Sequence, residues 1–458
     1  VALPAIQRDL HFNQSGLTWV VDAFLITFGS FLLLAGRLGD LVGRKKVFLA
    51  GVTLFTLSSI VCGVSTSPAM LIVGRFAQGI GGAFSSSVII ANVVTEFPEP
   101  AERAKAMSAY IFVTVGGGSI GLLVGGLLTQ ALNWHWIFFI NVPVGVATLV
   151  LGRALIEENV GIGVRDGVDV VGCVLVTLAL MLGIYAITQA SQYGWVSPHT
   201  LGLGGVALLL LAVFGIVEAR LRNPIMPLRI FRIRTLTNSS FVRGFVATGL
   251  YTTFFLGALY LEDVLHYSPI HTGLAFLPVS LMMGLLSAGV TARLVVRFGN
   301  KRVLVPGMIS TTAGLLLLTR ISPHADFVTV VLPAFVLIGL GAGTSFVPLL
   351  SIAMSRVPHA DAGLASGIVN VSMQMSAAIG LAVMSTIATD HTASLVAVGR
   401  SLPGALVDGY RLAFLLAAII AGVGAVMASV LLRDTDGGPD PEAVRETEVL
   451  NAGEPLAT

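Results

Sequence analysis

Runs of about 20 mostly apolar residues, each long enough to cross a bilayer as a helix, recur along nearly the whole chain. They lie near residues 17–38, 47–64, 69–94, 106–130, 137–156, 169–190, 200–219, 238–261, 272–296, 303–320, 327–350, 362–389 and 410–432. Thirteen such runs in 458 residues leave no room for an ordinary soluble domain. Composition agrees. Hydrophobic residues make up 55% and charged residues 11%, where a soluble chain carries about 25% charged. Mean hydropathy is +0.91. These values exclude a disulfide scaffold, a coiled coil and a disordered chain. A formal charge of +2 with no clustered basic face argues against a nucleic-acid partner. Cys62 and Cys173 sit inside apolar runs and read as small packing residues. The eight His show no metal-ligand spacing, and no phosphate-binding glycine loop appears. Neither a metal nor a cofactor is therefore expected.

The expected class is an all-α integral membrane protein. Val1–Ile6 reads as the tail of one further helix, so the pattern fits a fourteen-helix parent with its first helix mostly missing. Lys and Arg set the orientation. With the loop holding Arg37, Arg44, Lys45 and Lys46 placed in the cytoplasm, twenty of the 26 basic residues fall in inner segments and four in outer ones. All four Trp (Trp19, Trp134, Trp136, Trp195) then fall at the outer interface, where indoles prefer to sit. The expected location is a bacterial cytoplasmic membrane, with a disordered acidic C-terminal tail (433–458) inside the cell.

The chain also repeats itself. Gly36-Arg-Leu-Gly-Asp-Leu-Val-Gly-Arg-Lys-Lys46 and Ala292-Arg-Leu-Val-Val-Arg-Phe-Gly-Asn-Lys-Arg302 both join two apolar runs. Gly118-Ser-Ile-Gly-Leu-Leu-Val is similar to Ala377-Ala-Ile-Gly-Leu-Ala-Val. The offsets predict two pseudo-symmetric halves, residues 1–156 and 223–432, with two extra central helices in 157–222. Repeated halves around a cavity are an architecture of secondary transporters.

Four motifs name a family. Gly36–Lys46 resembles the signature loop of the major facilitator superfamily. Arg75-Phe-Ala-Gln78-Gly79 resembles its fourth-helix motif, and Gly117-x-x-x-Gly121-x-x-x-Gly125-Gly126 its fifth-helix antiporter motif. Trp134-His-Trp-Ile-Phe-Phe-Ile-Asn141-Val-Pro143 is similar to the hallmark of the fourteen-helix drug:proton antiporters. Leu122, His135 and Glu262 depart from the usual residues, and Val296 replaces in the second loop the acid that is Asp40 in the first. The resemblance implies a proton-driven exporter of amphipathic drugs, antibiotics or a host metabolite, working by alternating access, without enzymatic activity and as a monomer in the lipid bilayer. A facilitator or importer of a small solute is the alternative. It also implies that Gly36, Gly39, Asp40, Gly43 and Arg44 form an inner latch between the halves. The glycines at 117, 121, 125 and 126 would pack against the other half.

Asp22 lies five positions into its run, roughly 7.5 Å deep at 1.5 Å per residue. Carboxylates inside a membrane are costly and usually face a cavity, so Asp22 is the candidate proton site; an interfacial Asp reaching back to water is the other reading. Arg75 lies at similar depth. It either tunes the protonation of Asp22, or of an acid in the missing first helix, or bonds backbone carbonyls. Phe24, Gln78, Asn141, Glu262, Asn370, Met373 and Gln374 are the candidate cavity residues, since Met and aromatic side chains suit adaptable apolar binding.

Overall fold

Each of the thirteen apolar runs is helical in the computed structural model, which describes residues 3–12, 14–97, 99–158, 161, 163, 169–221, 226–323, 325–358 and 361–432. The tail expected at 433–458 lies outside the described residues. In chain order the helices are α1 (Leu3–Asp9), α2 (Gln14–Val42), α3 (Arg44–Gly63), α4 (Pro68–Glu96), α5 (Pro100–Ala131), α6 (Trp136–Phe139), α7 (Asn141–Leu155), α8 (Val170–Tyr193) and α9 (Pro198–Arg220). There follow α10 (Arg234–Leu259), α11 (Pro269–Ala275), α12 (Leu277–Leu285), α13 (Thr291–Phe298), α14 (Asn300–Leu318), α15 (Leu332–Met354), α16 (Ala362–Ala397) and α17 (Leu402–Leu431). No strand occurs among the described residues. Ten helices are long and apolar enough to cross a membrane, and shorter apolar helices cover Val171–Ile187 and Ile270–Leu285; α5 accounts for the remaining run.

Local chemistry sets the boundaries. Ser-Pro pairs open α4, α9 and α11. In each, the serine hydroxyl accepts a bond from a first-turn N–H (Ser67 from Met70, Ser197 from Thr200, Ser268 from His271) while proline occupies the first turn, where its missing N–H costs nothing. The run at 272–296 is not one helix, as the apolar pattern suggested. Pro278 starts α12 afresh because it cannot donate to the α11 ladder, and a π-helical turn at Leu286–Val290, with Gly289 at φ 113°, separates α12 from α13.

The loop repeat is visible in the backbone. Gly43 (φ 113°) turns α2 into α3, and Gly299 (φ 86°) turns α13 into α14. Both sit in the left-handed region that favours glycine, at equivalent places in the two loop sequences. Within the first part of the chain α2 packs on α4, and α3 on α4 and α7; in the second, α14 packs on α15 and α17, and α10 on α16 and α17. Two seams join these groups, α2 against α16 and α5 against α12. The hairpin α8–α9 leans on the first seam, because α8 touches both α2 and α16. The short α1 is seated too: Ile6, Leu10 and Phe12 pack with Val20, Leu71, Trp134 and Phe138.

Candidate functional site

The α2–α16 seam closes around one carboxylate. Asp40, 4% exposed, accepts bonds from Gly363 N (3.0 Å) and Leu364 N (2.9 Å). Those N–H groups belong to the first turn of α16, which has no intrahelical partners for them, and its dipole favours an anion there. The same carboxylate takes Arg44 Nε (3.2 Å) and Nη2 (3.0 Å), and Arg44 Nη1 reaches Thr95 Oγ1 (3.3 Å). α2 therefore caps a helix more than 300 residues away in sequence. The exchange is reciprocal. Asp361, just ahead of α16, lies 3.8 Å from Arg37 of α2 and 3.2 Å from Arg229. Ser366 Oγ donates to Ser87 O of α4. Gly36 and Gly363 let the backbones touch: a Cβ on Gly36 would meet Gly363 O, and one on Gly363 would meet Asp40 Oδ1 at 2.5 Å. Gly39 leaves space that Val88 Cγ1 fills. Of the residues named from the sequence, Gly36, Asp40 and Arg44 meet at this seam, whereas Gly39 faces Val88 of α4 and Gly43 turns α2 into α3. Asp361 was missed; an acid just before an apolar run was the available signal. The equivalent loop has exposed Val296 in place of the acid, so the latch is one-sided.

Asp22 lies about 27 Å from Asp40 along α2, at 1.5 Å per residue. Its partner is on the inserted hairpin: Gln189 Nε2 of α8 donates to Asp22 Oδ2 at 3.1 Å. Nearby, Trp19 stacks on Tyr185 of α8, and Trp195 Nε1 donates to Thr386 Oγ1 of α16 at 2.8 Å. Arg75 does not pair with Asp22. Its Nε donates to Val20 O (2.7 Å), its Nη1 to Gln78 Oε1 (2.6 Å), and its guanidinium lies 4.5 Å from the Phe24 ring centre. The two are neighbours on α2 and α4, but their side chains serve different helices.

Gln78 departs from the cavity expectation. It is 1% exposed, and its amide joins Arg75 to Ser59 Oγ (2.7 Å), which Asn141 Nδ2 also reaches (3.5 Å). Both amides belong to a polar chain between α3, α4 and α7. Replacing Gln78 by Leu should leave Arg75 Nη1 without its acceptor and lower stability by about 1–3 kcal/mol, read as a fall in the thermal midpoint of the detergent-solubilised protein. Binding of a neutral substrate should stay unchanged.

The glycine face of α5 departs as well. A Cβ at Gly117, Gly121 or Gly125 would meet nothing within 4 Å, so this stretch is an open face and not a packed one; the surroundings of Gly126 lie outside the described residues. Tyr110 lies on the same face two turns earlier and packs against apolar clusters from both groups of helices. The face is thus filled towards the latch and bare beyond it. On other helices, residues 371–376 of α16 are half-buried, including Met373 and Gln374, and Phe24 of α2 is half-buried in a stack with Phe28. Asn370 is buried, and Glu262 is exposed at the end far from the latch.

Comparison with known proteins adds three findings. A family profile described as "Major Facilitator Superfamily" matches residues 1–381. The puromycin resistance protein pur8 of Streptomyces alboniger is 36% identical, over 94% of this chain and 87% of its own length. The cephamycin export protein CmcT of Amycolatopsis lactamdurans is 32% identical, over 94% of this chain and 88% of its own. Among solved structures, the proton:xylose symporter XylE bound to 6-bromo-6-deoxy-D-glucose superposes with a TM-score of 0.66 at 14% identity, covering 96% of this chain and 93% of that one.

Proposed function

The chain belongs to the Major Facilitator Superfamily, and from that membership we propose that it is a secondary transporter exporting amphipathic drugs or antibiotics in exchange for protons. It is a multi-pass membrane protein and, by family, a transporter and not an enzyme. Relatives named for resistance or export support the direction and the substrate class. One structural observation carries the mechanism. The α2–α16 seam is latched at one end by Asp40 on the α16 N-terminus, while the α5 face beyond Tyr110 stands open. That is the asymmetry of one access state. In this reading the latch end is cytoplasmic, as is the C-terminus, in a bacterial inner membrane. The protein works as a monomer, the proton gradient drives it, and Asp22 carries the exchanged proton.

The test uses inverted membrane vesicles, acidified inside and challenged with a panel of dyes and antibiotics. Substrate-triggered alkalinisation of the lumen is expected for the wild type. It should vanish in Asp22→Asn, while downhill substrate movement persists. Coupling that survives in Asp22→Asn would remove Asp22 from the mechanism; no proton flux in the wild type, with downhill movement intact, would make the chain a facilitator.

A further inference from the structure

A second buried charge lies on the other side of the seam. Arg243 of α10 is 5% exposed. Its Nη2 meets Met373 Sδ of α16 at 3.4 Å, and its carbon centre lies 5.4 Å from the Phe346 ring. A thioether is a weak acceptor. Nε and Nη1 are buried with no hydrogen-bond partner, and so is Nδ2 of Asn370, one turn before Met373 on α16. No carboxylate pairs with Arg243 among the described ion pairs. An uncompensated guanidinium in an apolar interior is strongly unfavourable, and its planar fork matches a carboxylate in two parallel bonds.

We propose that Arg243, with Asn370, is a binding site for the anionic group of an acidic amphipathic substrate, a carboxylate held between α10 and α16. The inference rests on the export reading and narrows its substrate class. The carboxylate would take the Nε–Nη2 edge of Arg243 once Met373 leaves Nη2, together with the amide of Asn370. Phe346 would cover the adjoining apolar body. Met373, unbranched and half-buried, is the contact able to swing aside. The aliphatic part would lie towards the open α5 face, where Gly117 and Gly121 leave space. Asp22 sits on α2 and is held by Gln189, so the proton and the anion would occupy separate places.

The test compares 1-naphthylacetate with its uncharged methyl ester, by equilibrium dialysis on the full chain in phosphatidylcholine nanodiscs. The wild type should prefer the acid. Arg243→Met should weaken the acid about ten- to a hundredfold, the range of a hydrogen bond to a charged group, and leave the ester unchanged. Arg243→Lys should fall between them. The thermal midpoint of Arg243→Met should equal or exceed that of the wild type, because an unpaired buried charge has been removed. A lower midpoint, an acid-to-ester ratio that Arg243→Met does not alter, or no binding of either probe would each overturn the proposal. So would loss of acid binding when phosphatidylglycerol is added, since a lipid headgroup would then own the site. Ethidium export from vesicles is measured in parallel. Export that persists with an unaltered ratio removes only this inference; absence of export for ethidium and for every other compound of the dye and antibiotic panel removes the export reading itself.

Discussion

Asp40→Asn is expected to unlock the closed end of the protein and to slow transport by about two to three powers of ten. The carboxylate accepts four bonds, two from the first turn of α16 and two from Arg44. An amide keeps one acceptor oxygen and turns an NH2 group towards other donors. Arg44, itself 5% exposed, would then be a buried charge without its counter-ion. Removing one member of such a pair costs about 3–5 kcal/mol, and each 1.4 kcal/mol is a factor of ten. The two bonds from Gly363 and Leu364 cross from α2 to α16, so their loss falls on the latched state, while the Arg44 pair lies on one side of the seam. Ser366, fully buried and bonded to Ser87 O, reports on it. In a background with Cys62 and Cys173 replaced by serine, Ser366→Cys should react slowly with a membrane-impermeant maleimide, and fast once Asp40→Asn is added. Equal labelling rates would show that the carboxylate does not hold the seam.

Gly363→Val should have the second largest effect, by sterics in place of charge. A Cβ there would stand 2.5 Å from Asp40 Oδ1, which the capping bonds fix, and against the carbonyl of Gly36 in the α2 backbone. Overpacking typically costs about 1–3 kcal/mol. Two helix backbones cannot yield as a flexible side chain would, which places this case at the upper end. Transport should fall at least tenfold for Gly363→Val and less for Gly363→Ala, with Ser366→Cys labelled faster in both. Gly36→Val should behave like Gly363→Val, since the two face one another. A normal transport rate in Gly363→Val would mean that the contact is never formed during the cycle.

Asp40 and Arg44 were named through the resemblance of the short Gly36–Lys46 loop to a family signature, and patterning by itself showed only a turn with one acid and a run of bases. The helices were legible from composition, each apolar run being its own signal. What pairs with what was not. Asp40 finds its partners on α16 and Asp22 finds its own on α8; no periodicity encodes such distances. Arg75 and Asp22 share a depth, and depth suggested a pair, but rotation about α4 sends Arg75 to Gln78 and Val20. The glycine stripe of α5 was read as packing because small residues usually admit a neighbour. An open face needs small residues equally, and only the position of Tyr110 distinguishes the two. That Arg243 has no acid partner among the described ion pairs is visible only in three dimensions.

The inserted hairpin has a consequence for traffic through the bilayer. α8 lies along the junction of α2 and α16, tied at Gln189 and beside Trp195, so one of the two lateral doors is screened from the acyl chains by a third party. Among the described residues α8 and α9 make no comparable contact with α5 or α12 at the opposite junction, so a compound dissolved in the lipid meets a molecule with a front and a back.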